Sequence, residues 1–470
     1  MLETSTCYPI ITSNDARYDG RLFVGVVTTG IYCRPVCTAK TPKPENCRFF
    51  SSAAAAEDAG FRPCLRCRPE LAPGLAPIDA KDRLVRATLQ RLESGHDGSL
   101  AALASELGVS DRHLRRVFEQ ELGTTPVRYL QTQRLLLAKR LLTDTALPVA
   151  TIAMTAGFQS LSRFNHLFKE RYRLAPTELR KGKSAGDSPI TLTLPFVPPL
   201  DWPALLAFLS QRLIRGVESI TGGHYRRTLQ LGEHSGWLEA SSAGNAITLS
   251  ISQSLAPVLP QLVAGARHCF DLWCRPDEVA SALGKLATGA PGLRLPGTFD
   301  GFEMAVRAIL GQQVTVKAAH TLAGRLVTAL GEPLKTPFEE LAYSFPSPER
   351  MAQASQDQLG RLGILASRSR AILALARAVA DGELVLKPGQ DVDAQVDRLL
   401  ALPGIGPWTA DYIAMRALGC PDRFLTADHG VKKALGETNG KRLQALAEPW
   451  RPWRSYAVMH LWRSLAQKQP

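Results

Sequence analysis

Apolar positions along the chain change their spacing in three places, and the changes mark separate structural parts. Between about residues 79 and 182 the spacing is mostly helical, and it contains a weak internal repeat. Leu114 and Phe118 with Pro126 recur as Phe164 and Phe168 with Pro176. Each copy follows a small-residue turn, Leu107-Gly108-Val109-Ser110 or Ala156-Gly157-Phe158-Gln159, that leads into a helix with polar residues between its apolar positions. This is the pattern of a helix-turn-helix, twice over. Further on, short alternating runs predict strands over Ile190–Phe196, Thr228–Leu231, Gly236–Ala240 and Ala246–Ser252, with helices near 201–213 and 257–272. Such a mixture implies a small α+β domain with an antiparallel sheet. From about Phe299 the chain reads as helical. LAPGLAPID and GKSAGDSP, rich in Gly and Pro or in small polar residues, read as linkers.

The resulting expectation is a multidomain, mainly α protein with α+β parts, bounded at 1–76, 79–182, 188–297 and 298–470. A chain of 470 residues that is 45% hydrophobic can bury several cores. Its net charge of +13 and pI near 9.4 favour a polyanionic partner. The start, MLETSTCYPI, lacks the charged and apolar regions of a signal peptide, and no run is long enough to span a membrane. Nine cysteines in this length do not make a disulfide scaffold. Four of them are spaced as metal ligands, which suits a reducing cytoplasm.

Those four are Cys33-x3-Cys37 and Cys64-x2-Cys67. Two short-spaced pairs that converge supply four thiolates, the arrangement zinc prefers, and a structural zinc is the plain reading. The flanking text, TTGIYCRPVCTAKTPKPENCRFF and AGFRPCLRCRPE, resembles the amino-terminal domain of the Ada DNA-alkylation response proteins. The resemblance implies one zinc ion held by Cys33, Cys37, Cys64 and Cys67. It also implies that Cys33 is the thiolate that takes a methyl group from a DNA methylphosphotriester. Arg34, Arg62, Arg66 and Arg68 surround the pairs as candidate phosphate contacts. Cys7 and Cys47 stand outside the motif and read as buried small side chains. The Pro-Cys-His-Arg motif of the Ada carboxyl-terminal methyltransferase is absent.

The tandem repeat resembles the AraC-family DNA-binding domain, whose two motifs are joined by a long helix, here about Val127 to Leu142. Recognition helices would begin near Ser110 and Ser160. They would carry Arg112, Arg115 and Arg116 on the first and Arg163, Asn165 and His166 on the second, all directed away from the apolar stripe.

The last part contains LPGIGPWTADYIAMRALGCPDRFLTAD, from Leu402 to Asp428. A Pro-Gly-x-Gly turn with Gly404 and Gly406 lets the backbone approach a phosphate at the start of the next helix. Trp408 and Tyr412 share a face of that helix, and Asp428 lies just past a strand-like Phe424-Leu425. The stretch resembles the helix-hairpin-helix of the base-excision DNA glycosylases, with Asp428 at the catalytic aspartate, and is most similar to the AlkA-type 3-methyladenine DNA glycosylases. PLDWPALLAFLSQRLIRGVESI is similar to the start of the AlkA amino-terminal domain. It places Phe208 at a pocket aromatic, although Phe208 is equally spaced as a core residue of its helix. FEMAVRAILGQQVTVKAAHTLAGRLV puts Gln313 at the wedge that fills the gap left by a flipped nucleotide. WRPWRSYAVMHLWRS places Trp462 against the pocket, with Trp450 and Trp453 as packing residues.

The implied activity is hydrolysis of the N-glycosidic bond of alkylated purines in double-stranded DNA, with Trp408, Tyr412, Trp462 and Phe208 as base pocket. Trp408 stands where lyase members carry a lysine, and no cysteine follows Cys420. Neither a lyase step, an iron–sulfur cluster nor an organic cofactor is therefore expected. For the regulatory half the expected partners are promoter DNA and RNA polymerase. The alternative is a methyl-activated regulator whose glycosylase domain only binds DNA.

Overall fold

The computed structural model describes residues 3–73, 83–93, 99–180 and 188–466, and most of both predicted linkers lies outside them. The chain forms two compact units, residues 1–197 with 246–264, and residues 198–245 with 265–470. Among the described residues no helix is long and apolar enough to cross a membrane.

The first unit begins with a four-stranded sheet in the order Cys47–Phe50, Phe23–Val26, Ile31–Cys33, Arg62–Pro63. Its pairs are antiparallel except the last, which is parallel and aligns Ile31 with Arg62. Strands of two to four residues are too short to show an alternation, so the pattern of apolar positions did not predict them. Gly25 is a steric requirement here, because a side chain would meet the Phe50 and Phe61 rings at 2.9 Å.

Helices follow at Leu100–Glu106, Asp111–Leu122, Pro126–Asp144, Val149–Thr155 and Leu161–Tyr172. Ser110 and Ser160 cap the second and fifth, their hydroxyls accepting from the His113 and Arg163 amides at 3.3 and 3.4 Å. These helices therefore start where the sequence pattern places them, because a serine supplies the acceptor that the first amides lack. The long helix, expected over Val127–Leu142, runs one residue further at its start and two at its end. Phe118 and Phe168, the repeated apolar positions, are both fully buried. The unit also holds the antiparallel pair Ile190–Pro195 and Ala246–Ile251, with Ile190 opposite Ile251.

A buried polar seam joins the cysteine-bearing sheet region to the long helix. Lys139 and Glu70 form an ion pair with side chains only 2% and 1% exposed. Arg68 bonds Glu70 at 2.9 Å and Asp144 at 2.8 Å. Beside them Glu57 accepts from the Tyr32 hydroxyl at 3.1 Å and the Thr132 hydroxyl at 3.2 Å. Burial outweighs these contacts and Arg171, and pushes the Glu57 carboxyl up to about 7.

In the second unit the strands Glu218–Thr221, His224–Leu231 and His234–Ala243 form an antiparallel meander. The first of these was not predicted from sequence, and the other two extend the predicted runs. Trp202–Ser210 realises the helix expected near 201–213. The helix Gly301–Leu310 is buried along almost its whole length and packs against Ala366–Ala380 and Pro407–Arg416. Its Glu303 accepts from Arg227 at 2.6 Å and Arg307 at 2.8 Å, and Glu218 accepts from Arg307 at 3.0 Å. This ion cluster fixes the meander to the central helix. Phe424-Leu425 is a correction, since those residues lie in a loop without strand pairing. Both side chains are nevertheless buried, which accounts for the apolar signal.

Lys139→Met should leave Glu70 without its buried cationic partner and cost about 3 kcal/mol of stability. Removing both partners in Lys139→Met/Glu70→Leu should recover most of that loss. Urea unfolding of both variants checks this expectation.

Candidate functional site

The hairpin turn lies between the helices Val392–Ala401 and Pro407–Arg416. Gly404 has a φ of +77°, a left-handed backbone that favours glycine, and the exposed Gly406 is the cap of the second helix. Buried Ile405 anchors the turn, and Pro407 presets the first helical residue. The outward amides at this helix start are suited to a phosphate oxygen. Gln312 crosses to the turn, its amide donating to the Gly404 carbonyl and the Thr409 hydroxyl, each at 3.0 Å. Its neighbour Gln313 is exposed and held at a φ of +53°, unusual for a residue with a side chain. The turn thus projects Gln313 into solvent beside the hairpin.

Asp428 is the cap of the helix His429–Leu435, and three N–H groups converge on it. The Val431 amide and the Trp462 indole donate to Oδ1 at 2.8 and 2.9 Å, and the Trp408 indole donates to Oδ2 at 3.0 Å. Trp408 stacks on Tyr412 with centroids 5.2 Å apart and planes within 7°. Phe208 lies nearly parallel to Trp462 at 6.4 Å. Trp408, Tyr412, Asp428 and Trp462 line a cavity of about 330 Å³, large enough for a purine. Three of the four predicted pocket aromatics therefore line the cavity with the predicted carboxylate, whereas Phe208 is not among its lining residues and stacks on Trp462 instead. Spacing along one helix places Trp408 and Tyr412 on a shared face, but it could not show that both indoles bond the carboxylate.

Sequence reasoning passed over Gly430, Arg212, Arg307 and His320. Gly430 borders the cavity, and a side chain there would lie 3.1 Å from both Asp428 Oδ1 and Trp462. Arg416 donates to the Tyr412 hydroxyl at 2.8 Å. Burial pushes that hydroxyl's pKa up, but Arg416, Arg212 and Arg307 together bring it below the usual value. Burial also pushes the pKa of His320 below its usual value. No periodicity signals these residues, since each is brought in from a different segment.

In the first unit the parallel pairing of Ile31–Cys33 with Arg62–Pro63 brings the two cysteine pairs together. The sulfurs of Cys33, Cys37, Cys64 and Cys67 all lie within 4.8 Å of one another. Such a set fits one tetrahedral ion with Zn–S bonds of about 2.3 Å. Cys33 and Cys64 are nearly covered, but a recess of about 210 Å³ reaches both of them and Cys37. The sulfurs hydrogen-bond one another, which pushes the Cys33 thiol far up and Cys64 down. Four thiolates this close require a cation. Two of the four candidate phosphate-binding arginines are engaged inside the protein, which corrects the sequence expectation. Arg34 donates to Asp19 at 2.8 Å and Arg68 is held by Glu70 and Asp144. Arg66 remains exposed and Arg62 half-buried.

On the capped helices Arg112, Arg116, Arg163, Asn165 and His166 are exposed. Arg115 is half-buried and bonds Asp111 one turn back at 3.0 Å.

Four family models match in chain order. They are "Metal binding domain of Ada" over 6–70 and "Helix-turn-helix domain" over 103–182, then "AlkA N-terminal domain" over 191–300 and "HhH-GPD superfamily base excision DNA repair protein" over 306–448. The chain is 38% identical to the "Probable bifunctional transcriptional activator/DNA repair enzyme AlkA" of Mycobacterium tuberculosis, covering 98% of this chain and 96% of that one. It is 39% identical to the "DNA-3-methyladenine glycosylase 2" of Escherichia coli over 57% of this chain and 96% of the relative. The Escherichia coli "Bifunctional transcriptional activator/DNA repair enzyme Ada" is 35% identical over 37% of this chain and 48% of its own length. With an Ada-type metal site, a DNA-binding helix-turn-helix region and a helix-hairpin-helix glycosylase fold on one chain, the protein belongs to the family of bifunctional transcriptional activator/DNA repair enzymes of the AlkA type.

Proposed function

We propose that the chain repairs alkylated DNA as a monofunctional glycosylase, and couples that activity to a methyl-responsive regulator in its amino-terminal part. The observation that carries the first half is a carboxylate held by two indoles in a purine-sized cavity, on a helix-hairpin-helix whose glycine turn is suited to a phosphate. Double-stranded DNA would be gripped at Gly404 and Gly406, with Gln313 filling the space of the extruded nucleotide. Trp408, Tyr412 and Trp462 form the wall against which an alkylated base such as 3-methyladenine is held, with Phe208 packed on Trp462. Their faces favour a cationic ring over a neutral one. As the glycosidic bond lengthens, positive charge grows on the sugar, and Asp428 stabilises it and orients the attacking water. The bond breaks with its electron pair on the base. Water supplies hydroxyl to the sugar and its remaining proton passes to solvent, leaving a neutral free base and an abasic site.

In the amino-terminal part Cys33, Cys37, Cys64 and Cys67 would hold one zinc ion, which keeps thiols deprotonated at neutral pH. The Cys33 sulfur would attack the methyl carbon of a methylphosphotriester. A carbon–sulfur bond forms, the carbon–oxygen bond breaks, and the electron pair stays on the phosphate as a phosphodiester anion. The site then loses one negative charge, which weakens its repulsion of DNA phosphate. Residues 1–182 would bind promoter DNA more tightly through Arg112, Arg115, Arg116, Arg163, Asn165 and His166. RNA polymerase is the expected further partner of this half, and the cytoplasm the expected location.

Asp428→Asn should bind alkylated duplex about as well as the parent but release 3-methyladenine about 100-fold more slowly under single-turnover conditions. Release at the parent rate would remove Asp428 from the mechanism.

Exposure to methylphosphotriester DNA should place one methyl group on Cys33, located by peptide mass spectrometry, and tighten promoter binding at fixed salt. A methyl group on another cysteine would refute the acceptor assignment. A methylated Cys33 with unchanged affinity would refute the switch.

A further inference from the structure

The two serine-capped helices, Asp111–Leu122 and Leu161–Tyr172, each adjoin a turn that contains a left-handed glycine. Gly123 follows the first at a φ of +70°, and Gly157 precedes the second at a φ of +85°. Such a glycine imposes little direction of its own, so packing must set the orientation of each helix. The long helix Pro126–Asp144 joins the two motifs. The ends of both capped helices are also held from outside the motifs, by the short helix Ala53–Asp58 of the cysteine-bearing part.

Ser52 caps that short helix, and its hydroxyl donates at 3.3 Å to the carbonyl of Leu122, the last residue of the first capped helix. At the other end of the short helix, Asp58 accepts from the Thr124 hydroxyl and pairs with Arg128 at 3.3 Å. The same carboxylate reaches the second capped helix. Arg171, in its last turn, lies 3.5 Å from Asp58 and donates to the Glu57 carbonyl at 2.9 Å. The Asp58 side chain is only 13% exposed, so salt screens these contacts less than it would at the surface. The short helix is tied in turn to the strand of the metal site, because Glu57 accepts at 3.1 Å from Tyr32, the neighbour of Cys33.

A helix-turn-helix reads bases with residues near the start of its second helix. Two such helices on one chain read two stretches of DNA, and the distance between the stretches follows from how the helices are held. Here one carboxylate engages the far ends of both. We propose that Asp58 is a positioning residue of DNA reading, through which the cysteine-bearing part sets the spacing between the two base sequences read. The inference rests on the regulatory reading of the amino-terminal half. It adds to that reading a structural part for the metal-site body in sequence selection.

The test uses the full chain and the duplex that the parent protein selects from a random-sequence pool. A second duplex carries one extra base pair between the two protected segments. The insertion shifts one segment against the other by about 3.4 Å and about a tenth of a turn. The parent should bind the second duplex about 30-fold more weakly than the first. Asp58→Ala should bind the first duplex about 10-fold more weakly than the parent does, and the insertion should cost it less than about 3-fold, since helices released from the carboxylate can follow the shift. Its affinity for an unrelated duplex should match the parent's, because phosphate contacts do not depend on that spacing. A zinc content equal to the parent's marks the variant as folded around the four cysteines. An insertion penalty in Asp58→Ala equal to the parent's would leave the carboxylate with packing alone and overturn the proposal. Should Asp58→Ala not fold, Asp58→Asn, which still accepts from Thr124 but pairs with neither arginine, and Arg171→Gln take its place. An unchanged penalty in both would overturn the proposal equally. A parent protein that selects a sequence but tolerates the insertion would overturn the inference and leave the regulatory reading intact. A parent protein that selects no sequence, before or after exposure to methylphosphotriester DNA, would instead refute the regulatory reading itself.

Discussion

The second unit depends on one constraint, the convergence of two indole N–H groups on the Asp428 carboxylate. Trp408 comes from the helix that follows the hairpin and Trp462 from the last helix of the unit. A carboxylate bound only by its helix amides could swing about its side-chain torsions. Bound at both oxygens it has one orientation, fixed by rings that also wall the base cavity. In the proposed mechanism, recognition and chemistry would therefore share the same side chains. Each indole holds the carboxylate by its edge and presents a face to its neighbours, Tyr412 for Trp408 and Phe208 for Trp462. Gly430 suits the same constraint, because a side chain there would press on both the carboxylate and Trp462, each 3.1 Å away.

The amino-terminal unit solves a different problem. Four sulfurs this close need a cation once they are thiolates, and the sheet that assembles them is made of strands of at most four residues. So small a sheet has little core of its own, and metal binding would supply much of its folding energy. The seam of Lys139, Glu70, Arg68 and Asp144 gives it a second support by joining it to the long helix between the two helix-turn-helix motifs. The charge change proposed for Cys33 would thereby be made on a body that includes the two serine-capped helices.

Features encoded within a few residues were legible in the sequence. The cysteine spacing, the Gly404 turn, the serine caps at Ser110 and Ser160 and the repeated Phe118 and Phe168 all belong to this class. Each expresses a local rule of backbone geometry or periodicity, so a short window contains it. Features made by residues far apart in the chain were not legible. Arg34 and Arg68 read as candidate phosphate contacts, yet their partners are Asp19, Glu70 and Asp144. The burial of Phe424 and Leu425 gave a strand-like signal in a loop, because an apolar pair records burial and not the hydrogen bonding of a strand. Arg212 and His320 carry no motif at all, and their interest lies wholly in the cavity they share with Asp428.

In the proposed mechanism the indole N–H groups position Asp428 for base release, over and above the stacking their rings provide. Replacing both rings in Trp408→Phe/Trp462→Phe keeps aromatic faces and removes both donors. The decisive measurement is the single-turnover rate of 3-methyladenine release by this variant, with its affinity for an alkylated duplex measured alongside. Affinity should stay within a few-fold of the parent while release slows by about 10- to 100-fold. Release at the parent rate would contradict that positioning role, and would leave the indoles with stacking alone.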